Sequence, residues 1–211
     1  MHTPHHTPSR LRHAPGMSLM EVLIVCAISA VLAALLFPSL SRATAAARTV
    51  KCAGNLRQLF IAVQGFRNDN NGLLPGSMSA GSLWPQRIAP YLGVTLSGTD
   101  IPGAPPCPDT PFLCPAVYAD SEPRRSYAFN SRLQDNNLNT DDPAIGIALP
   151  SQTVLIADAR NTSWFQSQAN ASFRHDHKMA NFLMADGHVE KMDSAAANAR
   201  PYDVFIRGLA N

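Results

Sequence analysis

Charge is scarce in this sequence and leans to neither sign. Only 15% of its residues are charged, and the formal net charge is +2. Two of the basic residues, Arg10 and Arg12, lie in the first sixteen positions. A nucleic-acid partner calls for Lys and Arg clustered on one face, and no such cluster is present, so no nucleic acid is expected. Cysteine is sparse too. Cys26 sits inside an apolar run, and Cys52, Cys107 and Cys114 lie outside it. Three such cysteines permit one disulfide and leave one thiol over. No nucleophile–base pair, compact zinc spacing or internal repeat is found. The residues therefore point to no enzyme, cofactor or metal. The 211 residues fit one ordinary domain with extra segments.

What is present is long-range hydrophobic order near the N-terminus. Residues 1–16 (MHTPHHTPSRLRHAPG) are polar and hold no candidate helix or core. From Met17 to Phe37 only Ser18, Glu21 and Ser29 interrupt an apolar run. As a helix it would extend about 31 Å, enough to cross a hydrocarbon core of about 30 Å. Pro38 follows and predicts a kink. Beyond it Leu40, Ala43, Ala46, Val50, Ala53, Leu56, Phe60, Val63 and Phe66 recur every three or four residues, with basic residues mostly between them. That is an amphipathic helix with one face to bury. It should stop in the turn-forming NDNNG at residues 68–72. The whole helix is expected over about Met17–Asp69.

The distal half reads as short pieces. Prolines concentrate there and imply many loops. Leu83–Leu92 suggests a short helix or packed loop anchored by Trp84 and Tyr91. Arg125–Asn130 could form a strand, and Thr153–Asp158 has a buried-strand pattern. ANFLMA and HVEKM flank Asp186-Gly187, a strong two-residue hairpin signal that predicts a type I′ turn.

The junction Gly16-Met17-Ser18-Leu19-Met20-Glu21 is the most specific signal. A small residue ends a polar, basic leader, the apolar helix begins at once, and one carboxylate stands at its fifth position. A carboxylate within a membrane segment costs roughly 2.5–3.5 kcal/mol at mid-bilayer, which makes Glu21 a functional candidate. This segment resembles the amino terminus of type IV prepilins and type II secretion pseudopilins. The resemblance implies cleavage after Gly16 by a prepilin peptidase, with N-methylation of Met17. It also implies that Glu21 pairs with the terminal amine of a neighbouring subunit, and that Pro38 kinks the helix. Methionine stands at 17 where the family more often has phenylalanine.

The distal half resembles a narrower group, the prepilin-type processing-associated domains marked by an H-X9-DG motif. The matching pieces are Cys52–Gln58, Asn68–Pro75, Trp84 with Pro90-Tyr91-Leu92, Phe112–Pro115, Ser126–Asn130, Thr153–Asp158 and Arg174–Val189. Ten residues separate His175 from Asp186 and eight separate His177 from it, so neither gives the nine of the motif. Arg174 favours His175 as the motif histidine, beside Asp186 and Gly187. A structural hydrogen bond is the expected role of His175. A metal site built from His175, Asp176, His177, Asp186 and His188 is the sharper alternative. Asp135, Asn137, Asn139 and Asp141 alternate like calcium-loop ligands, but Thr140 and Gly146 break the EF-hand pattern, leaving a polar loop. Two disulfides stay open. Cys107–Cys114 is close in sequence. Cys52–Cys114 matches the resembled pattern and closes a longer loop, which gains about 4 kcal/mol against less than about 3.

The expected fold is α+β and pilin-like. A long N-terminal membrane-spanning helix continues into an amphipathic helix packed on a small antiparallel sheet. The expected segments are a leader (1–16), a transmembrane helix (17–37), its amphipathic extension (38–70) and an extracytoplasmic globular domain (71–211). The resemblance implies a structural subunit anchored by a single pass in a bacterial inner membrane, with its C-terminal domain outside. Expected partners are prepilin peptidase, other pilin-like subunits in homo- or hetero-oligomers, and the membrane. Charge around the span does not settle orientation, because Arg42, Arg48 and Lys51 closely follow it. A soluble protein with a secretory signal, cut after Ala43-Thr44-Ala45, is the rival reading.

Overall fold

The computed structural model describes residues 17–76, 78–79, 82–96, 110–119, 126–133, 147–159, 162, 164–175 and 178–209. The leader with Gly16, Cys107, the segment holding Asp135 to Asp141, Asp176 and His177 lie outside these residues. The chain divides into two units at Arg42/Ala43. Helix α1 (Leu19–Asp69) belongs to both, and Pro38 lies inside it.

In the first unit α1 is apolar and uncovered. Leu19, Leu23, Ile28, Val31, Leu35 and Phe37 are all exposed. The helix is long and apolar enough to cross a membrane. Its first turn is capped within the sequence. Ser18 Oγ accepts from the Glu21 N–H at 3.3 Å, and Glu21 Oε2 accepts from the Ser18 N–H at 2.8 Å. This is a capping box, which satisfies two otherwise orphaned donors at a helix start.

In the second unit α1 is one-sided. Cys52, Asn55, Leu56, Leu59, Ala62, Val63 and Phe66 are buried. The predicted stripe is right from Leu56 onward but wrong before it, because Val50 is 72% exposed. At about 100° per residue Val50 sits nearly opposite Cys52, and the seam follows Cys52, Leu56 and Leu59 instead. Asn55 is buried because its amide donates to the Leu113 carbonyl at 2.8 Å. The helix ends as expected at Asp69. Asn71 and Gly72 take φ of 53° and 77°, and the Gly72 N–H returns to the Arg67 carbonyl at 2.7 Å.

A two-stranded ribbon, β1 (Met78–Ser79) and β2 (Ser82–Leu83), leads into α2 (Trp84–Ile88). The main sheet comprises β3 (Tyr127–Asn130), β4 (Val154–Asp158), β5 (Trp164–Phe165), β6 (Met179–Met184) and β7 (Val189–Asp193), in the order β5-β3-β4-β6-β7. It is mixed rather than purely antiparallel, because β3 and β5 run parallel. The reason is topological. β3 is antiparallel to β4, and the chain reverses after β4 and crosses to the far edge of β3, so β5 points the same way as β3.

Every residue of β4 is buried, which fits a central strand covered on both faces. One core joins Leu56, Leu59 and Val63 of α1 to Trp84, Phe129 and Leu183. The other gathers Phe165, Phe182 and Met184 with Phe205 and Ile206. A register shift between Val154 and Ile156 lets the successive residues Leu155 and Ile156 enter the same core. Two short helices close the chain, α3 (Ser194–Asn198), capped by Asp193 through the Ala196 N–H at 2.7 Å, and α4 (Tyr202–Phe205).

The β6–β7 hairpin is present but its turn is not type I′. Only Gly187 has positive φ, at +98°, and Asp186 does not. The Gly187 N–H donates to the Met184 carbonyl, and the Met184 N–H to the His188 carbonyl. The loop is therefore Ala185-Asp186-Gly187, a tight turn closed by a glycine bulge.

Candidate functional site

The strongest cluster of chemistry-bearing side chains is buried where α1 meets the sheet. Cys52 on α1 and Cys114, at the entry to a 3-10 turn (Pro115–Ala119), form a disulfide with Cα atoms 5.1 Å apart. Both are fully buried. Of the two pairings open in the sequence, this is the one that ties the helix to the distal loop.

His175 lies directly against it. The backbones of His175 and Met179 exchange both hydrogen bonds, and Lys178 takes a φ of +67° to close that turn. The geometry fixes His175 just before β6 and aims its ring inward. Nε2 is 3.0 Å from Asp158 Oδ2 and 3.5 Å from Cys114 Sγ, while Nδ1 is 3.4 Å from Thr49 Oγ1. An ionised carboxylate only accepts, so the Asp158 contact places a proton on Nε2.

Asp158 ends the buried strand β4. Its Oδ2 also accepts from the Asn181 backbone N–H at 2.6 Å and the Asn181 amide at 3.0 Å. Its Oδ1 has no hydrogen-bond partner among the protein atoms described. The Tyr127 hydroxyl donates to the Cys52 carbonyl at 3.4 Å. Burial, and then the nearby Asp158 charge, push this phenol well above its ordinary pKa, which keeps it a neutral donor. Beside the cluster the Arg174 guanidinium donates to the carbonyls of Ser126 and Ala159.

The structure separates the residues of the H…DG motif. His175 stands before β6 and Asp186-Gly187 follow it, so the strand's length lies between them. They share no site. Asp186 is exposed and bonds locally, its Oδ1 lying 3.1 Å from the His188 N–H and 2.7 Å from His188 Nδ1. Burial alone would raise its carboxyl pKa, but these hydrogen bonds and the His188 charge together hold it below the ordinary value. The proposed ligand set of His175, Asp186 and His188 is therefore not assembled.

Sequence reasoning missed Ser18, Thr49 and Asp158. Ser18 was legible, because Ser-x-x-Glu before an apolar run is a capping-box signature. Asp158 had a weaker signal, as the one acid closing an apolar strand run. Thr49 had none, since its role depends on how α1 lies on the sheet. No protein family, curated protein or solved structure matches this chain.

Proposed function

We propose that this chain is a membrane-anchored, prepilin-like structural subunit. Its leader is removed after Gly16, and Met17 becomes the new, methylated N-terminus. Residues from Met17 to about Phe37 anchor it in a bacterial inner membrane, with the sheet domain outside. There it joins other pilin-like subunits in a pseudopilus or related assembly.

One observation carries this reading. A single helix is bare and apolar over its first half, yet buries a seam of residues against a sheet over its second. A cleaved secretory signal would not be continuous with a core helix. Here Thr49 and Cys52, only a few residues beyond the A-x-A site, are already buried in the domain. Glu21 has two roles on this reading. It closes the capping box now, and its carboxylate is available to a neighbour's amine in an assembly.

The test is the mature N-terminus of the chain made in cells that hold a prepilin peptidase. A chain beginning at N-methylated Met17, and retention of the leader when Gly16 is replaced by a bulky residue, would support the proposal. A mature chain beginning near Ala46 would replace it with the secretory reading.

A further inference from the structure

We propose that Cys52, Cys114, His175 and Asp158 form a redox-selected zinc site: a disulfide when oxidised, a four-ligand metal centre when reduced. Ligand atoms of both cysteines and His175 lie within 4.8 Å of one another, and all three residues are buried. Asp158 stands outside that group, but its Oδ2 is 3.0 Å from His175 Nε2, and it would have to move toward the sulfurs to supply the fourth ligand.

Two of the six edges of a coordination tetrahedron are already close to the required length. With zinc–sulfur bonds of about 2.3 Å and zinc–nitrogen or zinc–oxygen bonds of about 2.0 Å, N···S and N···O edges are about 3.5 and 3.3 Å. The observed Nε2···Sγ and Nε2···Oδ2 distances are 3.5 and 3.0 Å. Reduction must let the two sulfurs separate to about 3.8 Å, and the Asp158 carboxylate must close on them. A second observation points the same way. Asp158 is fully buried, yet Oδ1 has no partner among the protein atoms described, and an orphaned buried carboxylate oxygen requires an explanation such as an ion. Asn181, holding Oδ2 through two donors, would act as the orienting group behind the ligand.

The chemistry balances as follows. A dithiol reductant gives two electrons and two protons to the Cys52–Cys114 bond and becomes a disulfide itself. Zinc then displaces both thiol protons to solvent; the imidazole gives up its Nε2 proton and takes one at Nδ1, which faces Thr49, so that it stays neutral and binds through Nε2. Because the cysteines are shielded from solvent, both the reduction and the loading belong to the unfolded or folding chain. The site does not depend on the membrane reading.

The experiment uses the full chain in detergent with Cys26→Ser and Cys107→Ser, so that only one cysteine pair remains. The chain is reduced in denaturant by a phosphine, returned to detergent buffer without oxygen, and titrated with cobalt(II). The expected result is one ion per chain, with thiolate charge-transfer absorption, the visible bands of a tetrahedral ion, and displacement by zinc. The oxidised chain should give none of these. Cys114→Ser should abolish the two-thiolate spectrum, and His175→Gln and Asp158→Asn should each weaken binding at least about tenfold. His175→Cys, which restores a ligand, should bind cobalt with stronger charge-transfer absorption. No tetrahedral spectrum in the reduced parent chain, full affinity in His175→Gln, or no binding by His175→Cys would each overturn the proposal.

Discussion

Phe60 of α1 lies across Gly187 of the β6–β7 turn so closely that a Cβ at Gly187 would stand 2.5 Å from the Phe60 ring. Two constraints therefore meet at one residue. The backbone needs a φ of +98°, and the helix above leaves no room for a side chain. Gly187→Ala should lower the melting temperature, with about 1–2 kcal/mol from backbone conformation alone and more from moving the ring. Gly187→Asn, mild if φ were the only demand, should cost nearly as much. Combining Gly187→Ala with Phe60→Ala should be less damaging than the sum of the two changes, because only one steric conflict exists to remove. Strict additivity would show that the ring does not rest on the turn.

Glu21 offers a clean separation of roles. Gln serves as well as Glu in a capping box, but it carries no charge. Glu21→Gln should leave helix content in detergent unchanged, whereas Glu21→Ala leaves the Ser18 N–H without its acceptor and should fray the first turn. If subunit pairing needs the charge, both variants should fail to co-assemble in a crosslinking assay. Co-assembly by Glu21→Gln would confine the side chain to capping.

The Cys52–Cys114 bond spans 62 residues of sequence. Its loss should destabilise the oxidised protein by up to about 4 kcal/mol. Cys114→Ala should melt well below wild type, while Cys107→Ser leaves the Cys52–Cys114 bond and its contribution in place. Peptide mapping without reductant checks the pairing directly, and a Cys107–Cys114 peptide would contradict it.

Acid should weaken the turn as well. The Asp186 carboxyl is held below its ordinary value of 3.8, so its ionised form stabilises the folded state. That contribution is complete above pH 3.8 and is lost as pH falls through the lower folded-state value. The stability difference between wild type and Asp186→Asn should shrink as pH falls below 3.8. The exposure of the pair makes the effect small. A difference that persists unchanged into strong acid would mean the charge is irrelevant.

The sequence was most legible where a single period governs many residues. Helix α1, the strands around Thr153–Asp158 and the β6–β7 hairpin all follow from hydrophobic pattern and turn residues. Strand β5 and helices α3 and α4 are too short to carry a period, so they escaped notice. Val50 was misplaced because counting apolar residues cannot tell that Cys52 and Asn55, one bonded covalently and one through its amide, define the seam. The buried cluster was half legible. His175 and Cys114 stood out as residue types, but Asp158 and Thr49 join them only through the pairing of β4 with β6 and the seating of α1.

The disulfide also sets how this domain would respond to force. A load entering along α1 from Arg42 meets its covalent tie at Cys52, ten residues later, and can cross to Cys114 without pulling on the chain between them. The bridged stretch of 62 residues corresponds to roughly 200 Å of extended polypeptide at about 3.3–3.6 Å per residue. While the bond is closed that length cannot be paid out, so Leu56 to Phe66 of the helix seam, α2 and Trp84 stay out of the line of tension. Opening the bond would place them in series with it, and the domain would turn from a stiff link into an extensible one.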